Sequence, residues 1–222
     1  MTDRYRDRTH GGAALARWLA RFGGRADVAV LAVSRGGVPV AAAVAERLAA
    51  PLDVLVFRQL VVPWSPRLTF GTVGPGGLLV LAEEVAARVD PAVQEQVVRH
   101  ETGQLRRLAS ACRGDRPAPD LLGRTALLVD DELVTGATAR TGCVVARELG
   151  ARRVVVAAPV GATEAVGQTN QVADEVVCPV TPAAFRALGR YYDHAPDVSD
   201  TDVARLLGGA SMTGAGTVEG CR

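Results

Sequence analysis

The sequence predicts an α/β fold, an open and mainly parallel sheet flanked by helices, on three observations. Apolar runs rich in Val, Leu and Ala recur along the chain, as is typical of parallel strands buried on both faces. Helix-compatible segments separate these runs, an order that places helices over a parallel sheet. One apolar run, at 126–129, ends in two adjacent carboxylates, and such strand ends host sites in open α/β sheets. A chain of 222 residues is long enough for one such domain.

The chain begins with a helix and a β-α-β unit. The first helix covers 11–22, and continuous apolar residues predict strands at 27–33 and 51–57. Between these strands, 38–50 is a helix that tolerates Pro39 in its first turn, where the missing N–H costs little. Two parallel strands joined in this way predict a right-handed crossover.

The middle of the chain differs in character. Residues 60–77 are rich in Pro and Gly, which indicates a mobile loop leading into a short hairpin around 68–73 and 78–81. A polar, amphipathic helix over 91–112 follows. The Pro-rich segment 113–120 then connects this helix to the next strand.

The second half resumes the alternation of strands and helices. Its predicted elements are strand 126–129, helix 139–149, strand 153–160, a short helix over 161–168, strand 174–180, and a helix over 198–208 capped by Ser199 and Asp200. Residues 1–207 are therefore expected to form a single domain. The Gly/Ser/Thr-rich segment 208–222 is expected to be a disordered tail.

Composition excludes several classes of protein. A net charge of +1 provides no basic surface for nucleic acid or an anionic membrane, and no apolar run is long enough to span a bilayer. The charged N-terminus does not resemble a signal peptide, so a cytoplasmic location is expected. The four cysteines lie far apart without metal-ligand spacing, as expected for free thiols: Cys112, Cys143, Cys178 and Cys221. The chain has no lysine, so every cationic contact to phosphate must come from arginine.

The most informative stretch is 126–138, ALLVDDELVTGAT. Asp130 and Asp131 end the strand, and their carboxylates suit vicinal hydroxyls or a hydrated divalent cation. The turn that follows offers backbone N–H groups, two hydroxyls and a helix N-terminus, which suit a phosphate dianion: Val134, Thr135, Gly136, Ala137 and Thr138. A phosphate close to a diol describes a ribose 5-phosphate. The alternative is that Asp-Asp merely ends a strand and Thr-Gly merely begins a helix.

A second turn of similar type follows the first strand. It consists of Ser34, Arg35, Gly36 and Gly37, in which the glycines let the backbone approach an anion and Arg35 adds a fixed positive fork. The alternative is an ordinary βα turn. Two anion-adapted turns on neighbouring parallel strands favour a ligand with phosphates at both ends.

These motifs resemble those of the type I phosphoribosyltransferases, which bind 5-phosphoribosyl-1-pyrophosphate (PRPP). The stretch 126–138 is similar to the signature of that family. The N-terminal YRDR, the SRGG turn and the late segment PVTPAAF…YYD…VSDTDV extend the resemblance over about residues 4–207, to a bacterial subgroup without an assigned acceptor. The resemblance also implies a small hood built from terminal segments.

The resemblance implies a reaction and a set of roles. The expected activity is Mg²⁺-dependent transfer of the 5-phosphoribosyl group from PRPP to a small, nitrogenous acceptor, with release of pyrophosphate. Asp130 and Asp131 are then the catalytic residues and hold Mg²⁺ through water, and 134–138 bind the 5-phosphate. The turn 34–37 corresponds to the pyrophosphate loop, and Arg58 is a second pyrophosphate contact.

Two positions depart from the family pattern. Gln59 stands where related enzymes often carry Lys, which bears on the strength of pyrophosphate binding. Val134 stands where 6-oxopurine enzymes carry an Asp that acts as general base, which makes hypoxanthine or guanine a less suitable acceptor. These departures keep a hydrolase of PRPP or a nucleotide as an alternative. A PRPP-binding regulator without transfer activity is a second alternative, against which the net charge of +1 argues because a basic face for nucleic acid would be expected.

Two further groups of residues have open roles. Trp64 and Arg67 belong to the 60–77 loop, which is expected to close over the bound complex as a lid; the alternative is a rigid hairpin, for instance in a homodimer interface. Three aromatic residues of the hood either stack on the acceptor ring or pack the hood's own core: Phe185, Tyr191 and Tyr192.

Overall fold

The computed structural model describes residues 4–114, 116–185 and 187–211. Eight strands are present in this part of the chain: β1 (Val28–Ala32), β2 (Leu52–Val54), β3 (Arg58–Val62), β4 (Ser65–Val73), β5 (Leu79–Leu81), β6 (Thr125–Val129), β7 (Arg153–Ala157) and β8 (Glu175–Val177). The same part of the chain has seven α-helices: α1 (Arg8–Trp18), α2 (Gly37–Leu48), α3 (Glu83–Ala86), α4 (Pro91–Arg113), α5 (Ala137–Glu148), α6 (Thr163–Thr169) and α7 (Asp200–Ser211).

Five strands form the main sheet, in the order β2-β1-β6-β7-β8. All four neighbouring pairs are parallel. In the central pair Val28 lies opposite Thr125 and Ala32 opposite Val129, so β1 and β6 end side by side at the same edge of the sheet. The predicted α/β class, with an open parallel sheet and flanking helices, is confirmed.

The sheet is buried on both faces, as its apolar strands predicted. Along β6, Leu127 and Val129 belong to one core with α1, α2, α4 and α7, and Ala126 and Leu128 belong to the other core with α5 and α6. Successive side chains of a strand point to opposite faces, which is why a continuous apolar run is needed here. Strand β6 is fully buried along its whole length.

A second sheet corrects the prediction for the middle of the chain. The predicted partners 68–73 and 78–81 do pair, as β4 and β5, but β3 adds a third antiparallel strand where an irregular loop was expected. Leu60 and Val62 are buried in β3, so apolar burial overrides the loop signal of the nearby prolines. Pro66 is accommodated next to the hairpin turn, where the β3–β4 register is irregular.

The N-terminal segment around Tyr5 and the segment around Tyr191 build the predicted hood. Tyr5 N–H donates to the Tyr191 carbonyl (2.8 Å), and Asp193 N–H donates to the Tyr5 carbonyl (2.8 Å). A small apolar cluster packs beneath this pairing, formed by Tyr5, Val160, Tyr191 and Tyr192. The hood is thus a separate core that sits beside the main sheet and joins the N-terminal segment to residues near 190.

Most helix boundaries differ from the predictions by one to four residues. Helix α1 begins at Arg8 rather than residue 11, because the Asp7 side chain caps the His10 N–H (2.7 Å). Helix α5 begins at Ala137, and α7 continues to Ser211, beyond the predicted end at 208. The rest of the expected disordered tail, 212–222, lies outside the described residues. No helix in the described part of the chain has the length and apolar character needed to cross a membrane.

Candidate functional site

The site forms where β1 and β6 end next to each other. The turn after β1 supplies Ser34, whose hydroxyl donates a hydrogen bond to Oδ1 of Asp130 at the end of β6. The Gly37 N–H donates to Ser34 Oγ at 2.9 Å, which ties this contact to the start of α2. The 34–37 turn is therefore in direct contact with the acidic pair that precedes the 134–138 turn.

Asp130 is a buried carboxyl with a strongly perturbed proton affinity. Burial raises the pKa of Asp130 well above its usual value, and the neighbouring Asp131 charge raises it further. The Ser34 hydroxyl opposes this effect by donating to the ionised form. A buried carboxylate of this kind is stabilised by any cation brought next to it.

Asp131 is held by an arginine that the sequence did not single out. Arg8 Nε donates to Asp131 Oδ2 at 2.8 Å, and each side chain is only 11% exposed. The Tyr192 hydroxyl donates to the Asp131 carbonyl at 2.8 Å, and burial raises the pKa of Tyr192, so this hydroxyl keeps its proton. The YRDR segment contributed to the resemblance, but nothing local in it indicated this contact.

The glycines of the 34–37 turn allow this turn to approach the end of β6 and Asp131 closely. A Cβ added at Gly36 would lie 2.8 Å from the carboxyl carbon of Asp131, and one at Gly37 would lie 2.8 Å from the Val129 carbonyl oxygen. Both distances are too short for a real side chain. Glycine at these positions is required by packing against β6 and the residue pair that follows it.

The turn 134–138 opens onto a cavity of about 220 Å³. Helix α5 begins inside this turn, so the N–H groups of its first residues have no partner within the helix. Gly136 has φ 67°, a conformation that favours glycine, and Arg140 of α5 donates to the Thr135 carbonyl at 3.0 Å. The cavity is lined by Ser34 and the continuous run 130–139. Its shape and donors suit an anion next to a carboxylate pair.

Glu132 is a further acidic residue of the site that no sequence pattern indicated. Its Oε2 atom is buried without a hydrogen-bond partner among the described residues. Burial, and secondarily the charge of Asp131, raises the pKa of Glu132 to about 7. The next residue but one, Val134, is 49% exposed and lines the same cavity. The resemblance implies that 6-oxopurine enzymes carry an Asp general base at this position.

The two predicted pyrophosphate arginines form ion pairs with helix carboxylates. Arg35 lies 2.9 Å from Asp200 at the start of α7, and Arg58 lies 2.7 Å from Glu101 in α4. Both guanidiniums are about half exposed, so an anion can reach them. Gln59 donates to the Thr141 hydroxyl in α5 (3.2 Å), which brings the end of β3 next to the helix of the phosphate turn.

The predicted lid residues lie at the outer end of the β3–β4 hairpin. Trp64 is 65% exposed in the turn, and Arg67 is exposed on β4. The hairpin is antiparallel, and its pairing is irregular between Leu60 and Val62, in the half of β3 nearest the turn. Closure over a ligand stays a prediction.

The aromatic residues proposed for acceptor stacking require a correction. Tyr191 and Tyr192 are buried in the hood's core, where Tyr192 packs against Tyr5 with ring centroids 5.5 Å apart. Phe185 stacks on Tyr191 at 5.2 Å and is only partly buried. The core-packing alternative therefore applies to both tyrosines, and Phe185 alone of the three has accessible ring surface.

The acidic pair fits a hydrated magnesium ion. No group of three or more His, Cys, Asp or Glu suited to hold a metal occurs among the described residues. Mg²⁺ commonly keeps several waters and uses only one or two carboxylates together with substrate phosphates. Asp130 and the adjacent Asp131, which both line the cavity, form a donor set of that kind.

Comparisons with known proteins find similar chains. No protein-family model matches the chain. A protein present in two strains of Mycobacterium tuberculosis, named "Putative phosphoribosyl transferase", is 45% identical over 203 residues, which cover 90% of this chain. The match covers 46% of that protein, so the chain spans about half the length of the curated relatives it matches.

A solved structure extends this similarity to the fold. The crystal structure of TT1426 from Thermus thermophilus is 41% identical, with a TM-score of 0.83, and the match covers 92% of this chain and 97% of that one. The similarity in fold therefore extends over nearly the whole length of both chains. Over 90% of its length the chain is similar to a protein named "Putative phosphoribosyl transferase", in line with its resemblance to type I phosphoribosyltransferases.

Proposed function

We propose that the chain is a Mg²⁺-dependent phosphoribosyltransferase that moves the 5-phosphoribosyl group of PRPP to a small nitrogenous acceptor and releases pyrophosphate. The observation that carries the proposal is the contact between the 34–37 turn and the acidic pair that precedes the 134–138 turn. Ser34 donates to Asp130, and the cavity at 134–138 is lined by Ser34 and by the same carboxylates. A sugar bound across this point has places for both of its phosphate ends.

The 5-phosphate would bind in the turn 134–138. Its oxygens would accept hydrogen bonds from the N–H groups at the start of α5 and from the Thr135 and Thr138 hydroxyls. These contacts are remote from C1 of the ribose. Their binding energy fixes C1 relative to the leaving group and the nucleophile.

Asp130 and Asp131 would hold the ribose hydroxyls. Departure of pyrophosphate leaves positive charge on the ribose ring, and carboxylates fixed beside the ring favour that charge. Bound Mg²⁺ would neutralise charge on the pyrophosphate, and the acidic pair would hold the ion through its waters. Arg35 and Arg58 would turn from Asp200 and Glu101 to the pyrophosphate, which they can do because both are half exposed.

The acceptor would enter between the 130–134 segment and the hood. Glu132 and Val134 line or adjoin this space, and Phe185 is the hood aromatic residue with accessible ring surface. A nitrogen of the acceptor would attack C1 on the face opposite to the departing pyrophosphate. The replacement of the general base by Val134 favours acceptors other than 6-oxopurines.

Binding and turnover measurements with one pair of variants test the proposal. Calorimetry should show Mg²⁺-dependent binding of PRPP, and Asp131→Asn should weaken the complex or slow transfer by about 10²–10³-fold, by analogy with the loss of one preorganised electrostatic contact. The control is Asp193→Asn, a half-exposed hood carboxylate paired with Arg4, which should change neither quantity. Equal binding and turnover in wild type and Asp131→Asn would contradict the assignment.

Pyrophosphate release measured across a panel of bases separates the proposal from its two alternatives. Release that requires an acceptor supports a transferase. Release in water alone would indicate a hydrolase of PRPP, and binding without any release would indicate a regulator.

A further inference from the structure

Arg8 makes the most enclosed ion pair of the site. It is the first residue of α1, and its Nε lies 2.8 Å from Asp131 Oδ2, with both side chains 11% exposed. The same guanidinium donates through Nη1 to the Pro196 carbonyl. A guanidinium so little exposed is worth more as a counter-ion than one at the surface, because water screens it less.

Three contacts fix Asp131 in place. Arg8 holds one carboxylate oxygen, Tyr192 holds the backbone carbonyl, and the backbone of Gly36 packs closely against the carboxyl group. Among the residues that the structure describes, no N–H or hydroxyl donates to the second oxygen, Oδ1, although the Asp130 carboxyl lies within hydrogen-bonding reach of the Asp131 carboxyl. The carboxylate is therefore oriented but only half used.

We infer that Arg8 is a positioning residue of the ribose site, which orients Asp131 so that one carboxylate oxygen is occupied and the other is free to accept a hydrogen bond from a sugar hydroxyl. This inference rests on the proposed function. Arg8 itself acts through Asp131 and needs no contact with the substrate. Its guanidinium also offsets part of the negative charge that the consecutive acids 130–132 concentrate at the end of β6.

The inference gives the hood a second role. Arg8 follows directly from the segment that pairs Tyr5 with Tyr192, and Tyr192 reaches the Asp131 carbonyl. The hood therefore holds Asp131 from both the side chain and the backbone. The geometry of the ribose site therefore depends on how the two hood segments pair with each other, although neither segment belongs to the 126–138 signature.

The chain offers a matched control for Arg8. Arg4 lies in the same N-terminal segment and pairs with Asp193 at 2.8 Å, but both of these side chains are about half exposed and neither contacts Asp131. Arg8→Met and Arg4→Met make the same chemical change in the same part of the hood. Arg8→Lys keeps the charge and replaces the planar fork by a single ammonium.

The test measures the affinity of these variants for Mg²⁺–PRPP and for ribose 5-phosphate by calorimetry, together with the thermal unfolding midpoint. Arg8→Met should weaken both ligands by about 10–100-fold, the loss expected when a binding group is displaced by about 1 Å. Arg8→Lys should recover part of the loss, and Arg4→Met should bind like wild type. Wild-type affinity in Arg8→Met would overturn the inference, and so would an equal loss in Arg4→Met, because that result would attribute the effect to hood stability.

A double-mutant cycle separates positioning from simple loss of stability. In an Asp131→Asn background, Arg8→Met should cost less than about threefold in affinity, because the group that Arg8 orients has already lost its charge. Full additivity of the two losses would overturn the inference even if both variants fold. If wild type binds no Mg²⁺–PRPP, the proposed function fails and the inference fails with it; if wild type binds and only the Arg8 result is negative, the proposed function stands alone.

Discussion

Gly36→Ala tests the packing of the 34–37 turn against Asp131 with the smallest available change. Gly36 has φ −61° and ψ −31°, a right-handed conformation that alanine adopts without strain. The whole effect of the substitution must therefore come from the new methyl group. That group would come closest to Asp131 Oδ2, the oxygen that Arg8 binds, and it would lie 2.8 Å from the Asp131 carboxyl carbon and 2.9 Å from Oδ1.

The size of the effect follows from these distances. Non-bonded carbon atoms prefer separations of about 3.5–4.0 Å, so Asp131 or the 34–37 turn must move by roughly 0.7–1.2 Å. A displacement of about 1 Å at a reacting centre can cost on the order of 10²-fold in rate. We expect Gly36→Ala to lower the affinity for Mg²⁺–PRPP by about 10–100-fold and to reduce turnover at least as much.

Gly103→Ala is the matched control for this prediction. Gly103 lies within α4 with nothing near its added methyl group, so alanine there should only favour the helix, by up to about 1 kcal/mol. Calorimetry and pyrophosphate release on both variants, with urea unfolding to confirm the native state, complete the assay. Wild-type affinity in a folded Gly36→Ala protein would refute the argument that the close contact of the 34–37 turn with Asp131 builds the site.

Three further measurements test other parts of the structure. Arg113→Met should reduce the free energy of unfolding by about 3–5 kcal/mol in urea titrations, because it leaves the partly buried Asp53 carboxylate without its counter-ion. A change below about 1 kcal/mol would show that this ion pair contributes little. Burial raises the pKa of Cys143 to about 11 and the pKa of Cys178 to about 12. Iodoacetamide at about pH 8 should therefore modify these two thiols far more slowly in the native protein than in urea, and equal rates would contradict the shielding of these thiols. With the exposed Trp18 replaced by Phe, Trp64 fluorescence should shift on addition of Mg²⁺–PRPP if the hairpin closes, whereas unchanged emission would favour the rigid hairpin.

The parts of the fold that were predictable are those fixed by neighbours in sequence. The apolar runs that became β1, β6 and β7 need no tertiary information, because burial on both faces requires every residue to be apolar. Strand β3 was missed because its evidence is Leu60 and Val62 facing the core, two alternating residues beside prolines that favour a loop. Short alternating patterns cannot outweigh such turn signals without knowledge of the partner strand.

The site shows the same division. Residues 130–138 form one continuous segment from the end of β6 to the first residues of α5, so their convergence could be predicted from order alone. Arg8 reaches Asp131 across 123 positions of sequence, and that contact depends on how the hood packs. Tyr191 and Tyr192 could be assigned to stacking or to the core only once their burial was known. Glu132 drew no interpretation because a lone acid after Asp-Asp has no distinctive spacing.

The ion pairs of Arg35 and Arg58 have a consequence for how a charged ligand would bind. Each guanidinium already faces a carboxylate, so pyrophosphate would arrive by exchange, displacing Asp200 and Glu101 rather than meeting bare positive charge. The number of guanidiniums in ion pairs then stays constant through the binding event, while two carboxylates lose their partners. The net gain from binding is therefore smaller than it would be if pyrophosphate met two unpaired guanidiniums.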